Sequence, residues 1–314
     1  MPQAELTVGT SRKSTGKEYL TEDLTVQATD YLKSRAKNPK QPFFLYFAHF
    51  SVHTPLQAKK DTIAHFDAKP QKGVNGQSNA TYAAMVKHLD DSVGNILDVL
   101  QETGLAENTI VVFSSDNGGV EYTNPAATDN YPFKGGKACL YEGGVRVPLV
   151  YYQPGRFDHA RWCDVPVNCT DFLPTFSQLT GNPVPNGIDG QSLLKTLEDP
   201  ETKAPQRAFY WHYPFNVIVK HPDNGFPLTP HSAIRVGSHK LIWDWQGRLE
   251  LYDIPNDPYE QDDLSTSNRE LTDRLFKQLK SWLRQNVKSQ YFPVRNPSYD
   301  STQDPRQECE NLWD

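Results

Sequence analysis

A chain of 314 residues with 37% hydrophobic and 22% charged residues can bury a real core, and no solenoid-length repeat or low-complexity tract argues otherwise. Its formal charge of −6 is mild and its basic residues are scattered, which gives nucleic-acid binding little support. No apolar run reaches the ~18 residues of a membrane span, and the opening "MPQAELTVGTSRKSTGKEYL" lacks the order of a signal peptide, so the chain reads as soluble.

From Thr21 to about Lys37, Leu24, Ala28, Tyr31 and Leu32 share one helical face, and "KNPKQP" stops the helix. "PFFLYFAHFS" follows as an unbroken apolar run, the pattern of a strand covered on both faces. Residues 57–80 are polar and carry Gly73, Asn75 and Gly76, which predicts a loop. Met85, Leu89, Val93, Ile96, Leu97 and Leu100 then recur at threes and fours, the mark of an amphipathic helix closed by Gly104. "TIVVFSSDNGG" supplies the next strand. Strand, helix, strand in this order predicts an α/β fold with a mostly parallel sheet flanked by helices.

The stretch from Gly119 to about Gly144 is long for a connection inside a compact domain, which marks it as functional or disordered. "VRVPLVYYQPG" and "CTDFLPTFSQLTG" predict a strand and a helix, and "NPVPNGIDG" a turn-rich exit. Beyond Arg207, "RAFYWHY", "SAIRVGSHKLIWDW" and "GRLELYDI" alternate between turns, and a helix runs from about Asn268 to Val287. This predicts a first domain over 1–204 and a small α+β subdomain with an antiparallel sheet over 205–314, ending in the surface tail "NPSYDSTQDPRQECENLWD".

In open α/β sheets ligands gather beyond the carboxyl ends of strands. At one such end Asp116 and Asn117 offer two hard oxygen donors suited to Ca²⁺ or Mg²⁺, with Gly118 and Gly119 removing bulk beside them; the same DNG string also makes an Asx turn or a helix cap. At another end stands His53, in "SVHTPL", either a donor to an anion or a structural histidine. Lys137 lies in "PFKGGKACLYEGGVRVP", where glycines let backbone amides approach an anion and lysine supplies a compact charge; a solvated basic loop is the plainer reading. Taken together, a hard-metal pair, a histidine and a lysine loop suit the gripping of a tetrahedral oxyanion while a bond to oxygen breaks. The cysteines at 139, 163, 169 and 309 follow no zinc or CxxC spacing, and Cys163 with Cys169 reads equally as a disulfide or two thiols.

The segments "PFFLYFAHFSVHTPL", "YAAMVKHLDDSVGNILDVLQETGLAENTIVVFSSDNGG", "FKGGKACLYEGGVRVPLVYYQPG" and "RLELYDIPNDPYEQDDLS" together resemble the sulfatases, the sulfate-ester branch of the alkaline-phosphatase superfamily. The resemblance implies that Asp116 and Asn117 help hold a calcium ion, and that His53 and Lys137 contact the sulfate and aid departure of the leaving oxygen. It implies a substrate subsite near His212 and Trp211, although burial of an aromatic cluster explains that pair as well. The implied activity is sulfuric ester hydrolysis on a sulfated carbohydrate or aryl sulfate, in a family mostly exported, periplasmic or lysosomal. Two N-x-T sites, at Asn79 and Asn168, matter only in a glycosylating secretory pathway.

Sulfatases also carry paired metal-binding aspartates and a CxPxR or SxPxR motif whose Cys or Ser becomes the formylglycine nucleophile. No cysteine or serine of this sequence stands in such a motif. The resemblance therefore covers what corresponds to the C-terminal two-thirds of a sulfatase, N-terminally truncated relative to the family fold, with no attacking atom for covalent catalysis and too few charged ligands for tight calcium binding. Exposed strand edges and self-association are the expected liabilities. Two alternatives stay open: an inactive fragment that binds a sulfated glycan or a partner, and a phosphoesterase of the same superfamily.

Overall fold

The computed structural model describes residues 19–298 apart from 71–72, 122–125, 158–159, 200, 203–206, 216–218, 221, 224, 226–227, 229, 246 and 295–296. The opening stretch up to Glu18, Cys309 and most of the C-terminal tail lie outside the described residues. Two compact units form: Met1–Ile110 with Gln153–Gly155, and Val111–Tyr152 with Arg156–Asp314.

In the first unit, α1 (Leu20–Ala36) and α3 (Ala80–Glu102) pack together, and Ala28, Leu32, Ala84, Met85, Val99 and Leu100 are buried on them; the helical spacing groups Ala28, Leu32, Met85 and Leu100 with the apolar faces but not Ala84 or Val99. The Asn79 side chain caps α3 by accepting the Tyr82 N–H at 2.9 Å, and Gly104, at φ +70°, closes it. The stretch read as a loop contains a helix, α2 (Lys60–Asp67), which packs on α3. Its half-buried Ile63 and Phe66, three residues apart, are too short an apolar repeat to stand out in a polar sequence.

The run after Pro42 corrects a second expectation. Residues 43–50 alternate between half-buried and exposed, but they belong to no sheet among the described residues. One face is partly covered: Phe43 meets Tyr31 edge to face at 6.1 Å, and His49 Nε2 lies 3.2 Å from Ser92 Oγ. The other face is open, with Phe44, Tyr46 and Phe50 exposed at 75%, 81% and 66%.

In the second unit, β1 (Val111–Ser114) is followed by a one-turn helix, α4 (Glu142–Val145), and by β2 (Leu149–Tyr152). The two strands pair antiparallel, Val111 opposite Tyr152 and Ser114 opposite Leu149, so the parallel arrangement expected here is absent among the described residues. The chain itself reverses between them, which brings β2 back beside β1 in the opposite sense. Two short helices follow, α5 (Phe172–Leu179) and α6 (Leu194–Glu198). Asp171, fully buried before α5, holds the Arg207 guanidinium and the backbone N–H groups of Asn168 and Gln191.

The C-terminal antiparallel sheet forms as the alternation predicts: β3 (Ala208–Tyr213), β4 (His231–Val236), β5 (His239–Asp244) and β6 (Arg248–Asp253), in the order β3-β4-β5-β6. Helix α7 (Arg269–Asn286) covers one face, its Leu275, Phe276, Leu279 and Leu283 meeting Ile234, Leu241, Trp243 and Leu251. The other face, through Ala233, Ile242 and Tyr252, is covered by Cys139, Leu140 and Tyr141. The lysine loop thus shares a core with the C-terminal sheet, within one compact unit that begins at Val111.

Candidate active site

Past β1 the chain runs through exposed Asp116 and half-buried Asn117 into a cluster of glycines. Gly118 N–H donates to the Gly144 carbonyl at 3.0 Å, and a side-chain carbon on Gly118 would lie 1.7 Å from the Gly143 carbonyl oxygen, so only glycine fits. The Gly119 carbonyl accepts the Lys137 N–H at 2.9 Å, and the Lys134 carbonyl accepts the Gly143 N–H at 2.9 Å. Backbone bonds therefore sew the acid–amide strand end, the lysine loop and α4 into one cluster. Beside Lys137, Ala138 sits at φ +72°, a left-handed conformation that costs a non-glycine residue on the order of 1–2 kcal/mol and concentrates at functional loops.

Asn130 adds side-chain bonds to this cluster. Its Oδ1 accepts the Gly119 N–H at 2.8 Å, its Nδ2 donates to the Gly119 carbonyl at 3.1 Å, and Glu121 Oε1 accepts from Asn130 N–H and Nδ2 at 2.7 and 2.6 Å.

The loop rests on buried charge. Lys240, fully buried on β5, places Nζ 3.0 Å from Glu142 Oε1 and 2.9 Å from Glu260 Oε1, while Glu260 Oε2 accepts the Glu142 N–H at 2.6 Å. Burial pushes the Glu260 carboxyl up, with Lys240 opposing. Tyr141 donates its hydroxyl to Glu250 at 2.7 Å; burial, then the Glu250 charge, drives its phenol well above the ordinary range, so it stays a neutral donor. Lys134 is tied within the fold: it bonds the Tyr252 hydroxyl, the Glu260 carbonyl and Asp223.

His53 belongs to the first unit, where it is exposed. Its Nδ1–H donates to the Thr54 carbonyl at 2.8 Å, because a carbonyl only accepts, and Nε2 is the other ring nitrogen. His212, on β3, uses both nitrogens within the fold: Nδ1 accepts from the Ser232 hydroxyl at 2.8 Å and Nε2–H donates to the Tyr291 carbonyl at 2.9 Å. Burial holds its pKa below the usual value. Trp211 packs at the edge of the sheet's inner cluster, the aromatic burial that its sequence neighbourhood left open. Cys163 and Cys169 are both exposed thiols, not bridged to each other.

Among the described residues no group of three or more His, Cys, Asp or Glu converges to hold a metal. Asp116 and Asn117 fit calcium by donor type, since both offer hard oxygens, but they supply only two of the roughly six to eight that the ion takes. Sequence reasoning missed Asn130, Glu121 and the Lys240 platform. The one available signal was positional: Lys240 lies two residues before Ile242 and so shares its face, on a strand whose two faces are both covered.

The glycine-sewn loop cluster above a two-sided sheet places this chain in the fold of the sulfatases of known structure. It is 30% identical to the protein in the crystal structure of Ps i-CgsB, at a TM-score of 0.71, over 88% of this chain and 57% of that one; that protein is also solved in complex with k-i-k-neocarrahexaose. The family described as Sulfatase matches residues 3–182, and the one described as N-sulphoglucosamine sulphohydrolase, C-terminal, matches residues 135–289. The chain belongs to the sulfatase family. The match starts at residue 3, well ahead of the apolar run where the recognisable motifs begin.

Among curated relatives, a sulfatase of Formosa agariphila is 31% identical over 289 residues, covering 86% of this chain and 51% of that protein. Human steryl-sulfatase is 32% identical over 280 residues, covering 80% of this chain and 45% of that protein. The chain spans about half the length of these relatives.

Proposed function

We propose that this chain carries part of the active site of a sulfuric ester hydrolase that acts on a sulfated carbohydrate or aryl sulfate. The observation that carries the reading is the backbone cluster in which the Gly119 carbonyl, two residues past Asn117, takes the Lys137 N–H. Asp116 and Asn117 are assigned to calcium, which when bound draws negative charge off sulfate oxygens. Lys137 supplies a compact positive charge for those oxygens, and His53 Nε2 passes a proton to the leaving oxygen. His212 serves substrate only if it gives up one of its two bonds in the fold. Residues 1–204 are assigned to the catalytic portion and 205–314 to the C-terminal subdomain. A carbohydrate substrate accords with the oligosaccharide complex of the similar Ps i-CgsB.

No CxPxR or SxPxR motif, the source of the family's formylglycine, occurs in this sequence. That observation favours a second reading, a sulfatase-like chain that binds a sulfated glycan or a partner without turnover. The open face of Phe44, Tyr46 and Phe50 supports association, with itself or with strands of a larger, mostly parallel sheet.

Calorimetric titration with Ca²⁺, alongside assay on a chromogenic aryl sulfate, tests both readings. Weak calcium binding by the unaltered chain, lowered about tenfold or more in Asp116→Asn where the one ligand charge is lost, is the expected result. Turnover by this chain alone sinks the non-catalytic reading; failure to bind either calcium or a sulfated ligand sinks the first.

A further inference from the structure

We infer that Asn130, braced by Glu121, is a positioning residue that clamps Gly119 and so fixes the spacing between the Asp116–Asn117 pair and Lys137; this rests on the duties proposed above for those three residues. Asn130 meets Gly119 at both its N–H and its carbonyl, and that carbonyl also receives the Lys137 N–H. One peptide oxygen is thus shared between the lysine loop and the clamp, two residues from Asn117. If it moves, the strand end and the lysine loop move relative to each other.

The orientation of the Asn130 amide is dictated by its partners. Gly119 N–H requires an acceptor, while the Gly119 carbonyl and the Glu121 carboxylate require donors, so the amide fits one way round only. Glu121 fixes the residue twice more, taking both its backbone N–H and its Nδ2 on one oxygen. Room is equally restricted: a side-chain carbon on Gly119 would lie 2.5 Å from Thr128 Cγ2 and 3.1 Å from Asn130 Oδ1. The second glycine of "DNGG" is therefore the surface on which the clamp closes. A purely local turn would bond residues two to four apart, as Ser115 does with the Asn117 carbonyl at 3.1 Å, whereas the clamp reaches across eleven positions to end beside the acid–amide pair.

Amide hydrogen exchange on the full chain tests this, with the unaltered protein, Asn130→Ala, Asn130→Asp and the double variant Asn130→Asp with Glu121→Gln. Asn130→Ala is expected to speed exchange at Gly119 and Lys137 about tenfold, the effect of losing roughly one net hydrogen bond, while Leu241 and Leu251 in the sheet keep their protection. Asn130→Asp sets a second carboxylate against Glu121 and is expected to speed it further. Glu121→Gln in that background removes the like charge and is expected to restore part of the protection, a rescue that lost packing would not show. Calcium affinity, titrated with the metal alone, falls in the same order.

Unchanged exchange at Gly119 and Lys137 in Asn130→Ala overturns the clamp. Equal acceleration at Leu241 and Leu251 overturns it too, because the residue then only supports global stability. A chain that binds no calcium overturns the duty of Asp116 and Asn117 instead, and the exchange ratios decide the clamp by themselves.

Discussion

The segment 43–50 and the β5–β6 hairpin are written in the same alphabet, "FFLYFAHF" against "HKLIWD" and "RLELYD", yet they end in opposite states. In the hairpin Leu241, Ile242, Leu251 and Tyr252 are at most 4% exposed, whereas Tyr46 is 81% exposed. Aromatic and branched residues give both segments a preference for strand. What differs is what surrounds them: the hairpin has ladder partners, α7 on one face and the Cys139–Tyr141 loop on the other, while 43–50 has half-cover on one face and no ladder among the described residues. Apolar composition sets a segment's appetite for burial, and only neighbours satisfy it.

The comparison breaks most visibly at Lys240. Lys240→Met keeps the apolar stem but leaves Glu142 and Glu260 facing each other without their cation. A loss of about 4–5 kcal/mol is expected, since breaking a buried pair strands its charge. Urea unfolding of the whole chain, read by tryptophan fluorescence, measures it; a change under about 1 kcal/mol would mean the platform tolerates the bare carboxylates.

Asp171 sharpens the same point at lower cost. Burial alone would raise its carboxyl, but the two bonds from Arg207, aided by the Gln191 and Asn168 N–H groups, hold it below the usual 3.8. A folded pKa below the unfolded one adds stability that is complete above pH 3.8 and fades as pH falls through the folded value. Asp171→Asn is thus expected to lose about 3 kcal/mol at pH 7 and progressively less in acid. A gap between the two proteins that stayed constant down to pH 3 would contradict the pairing.

Tyr46→Ser is the smallest and most direct contrast. Because that side chain is open, stability should shift by no more than about 0.5 kcal/mol. Self-association, followed by sedimentation velocity, should weaken. If instead the variant unfolds, the face is buried against something in solution.

Much of this was legible in the residues. The 3.6-residue repeat located α3, and alternation between turns located three segments that hold the four C-terminal strands, "SAIRVGSHKLIWDW" containing both β4 and β5, because both patterns are local. The antiparallel β1–β2 pairing was not legible, since nothing in "TIVVFSS" or "PLVYY" states the direction of a partner. Helix α2 hid behind polar residues. At the site, Asp116, Asn117 and Lys137 were visible as types in a glycine-rich setting, but the reason for the glycines, backbone approach close enough to exclude a single carbon, exists only in three dimensions. Asn130 and Glu121 carried no periodic signal, because side chain to backbone bonds across nine or eleven residues leave none.

Tyr141 bonds Glu250 and the Glu142 N–H bonds Glu260, partners 109 and 118 positions further along. On a ribosome that separation is a delay: at about 5–20 residues per second, roughly 5–25 seconds pass between the loop's emergence and that of its platform. For most of that interval Leu140 and Tyr141 wait for the apolar cover that Ala233, Ile242 and Tyr252 supply, so the lysine loop takes its final shape late in synthesis.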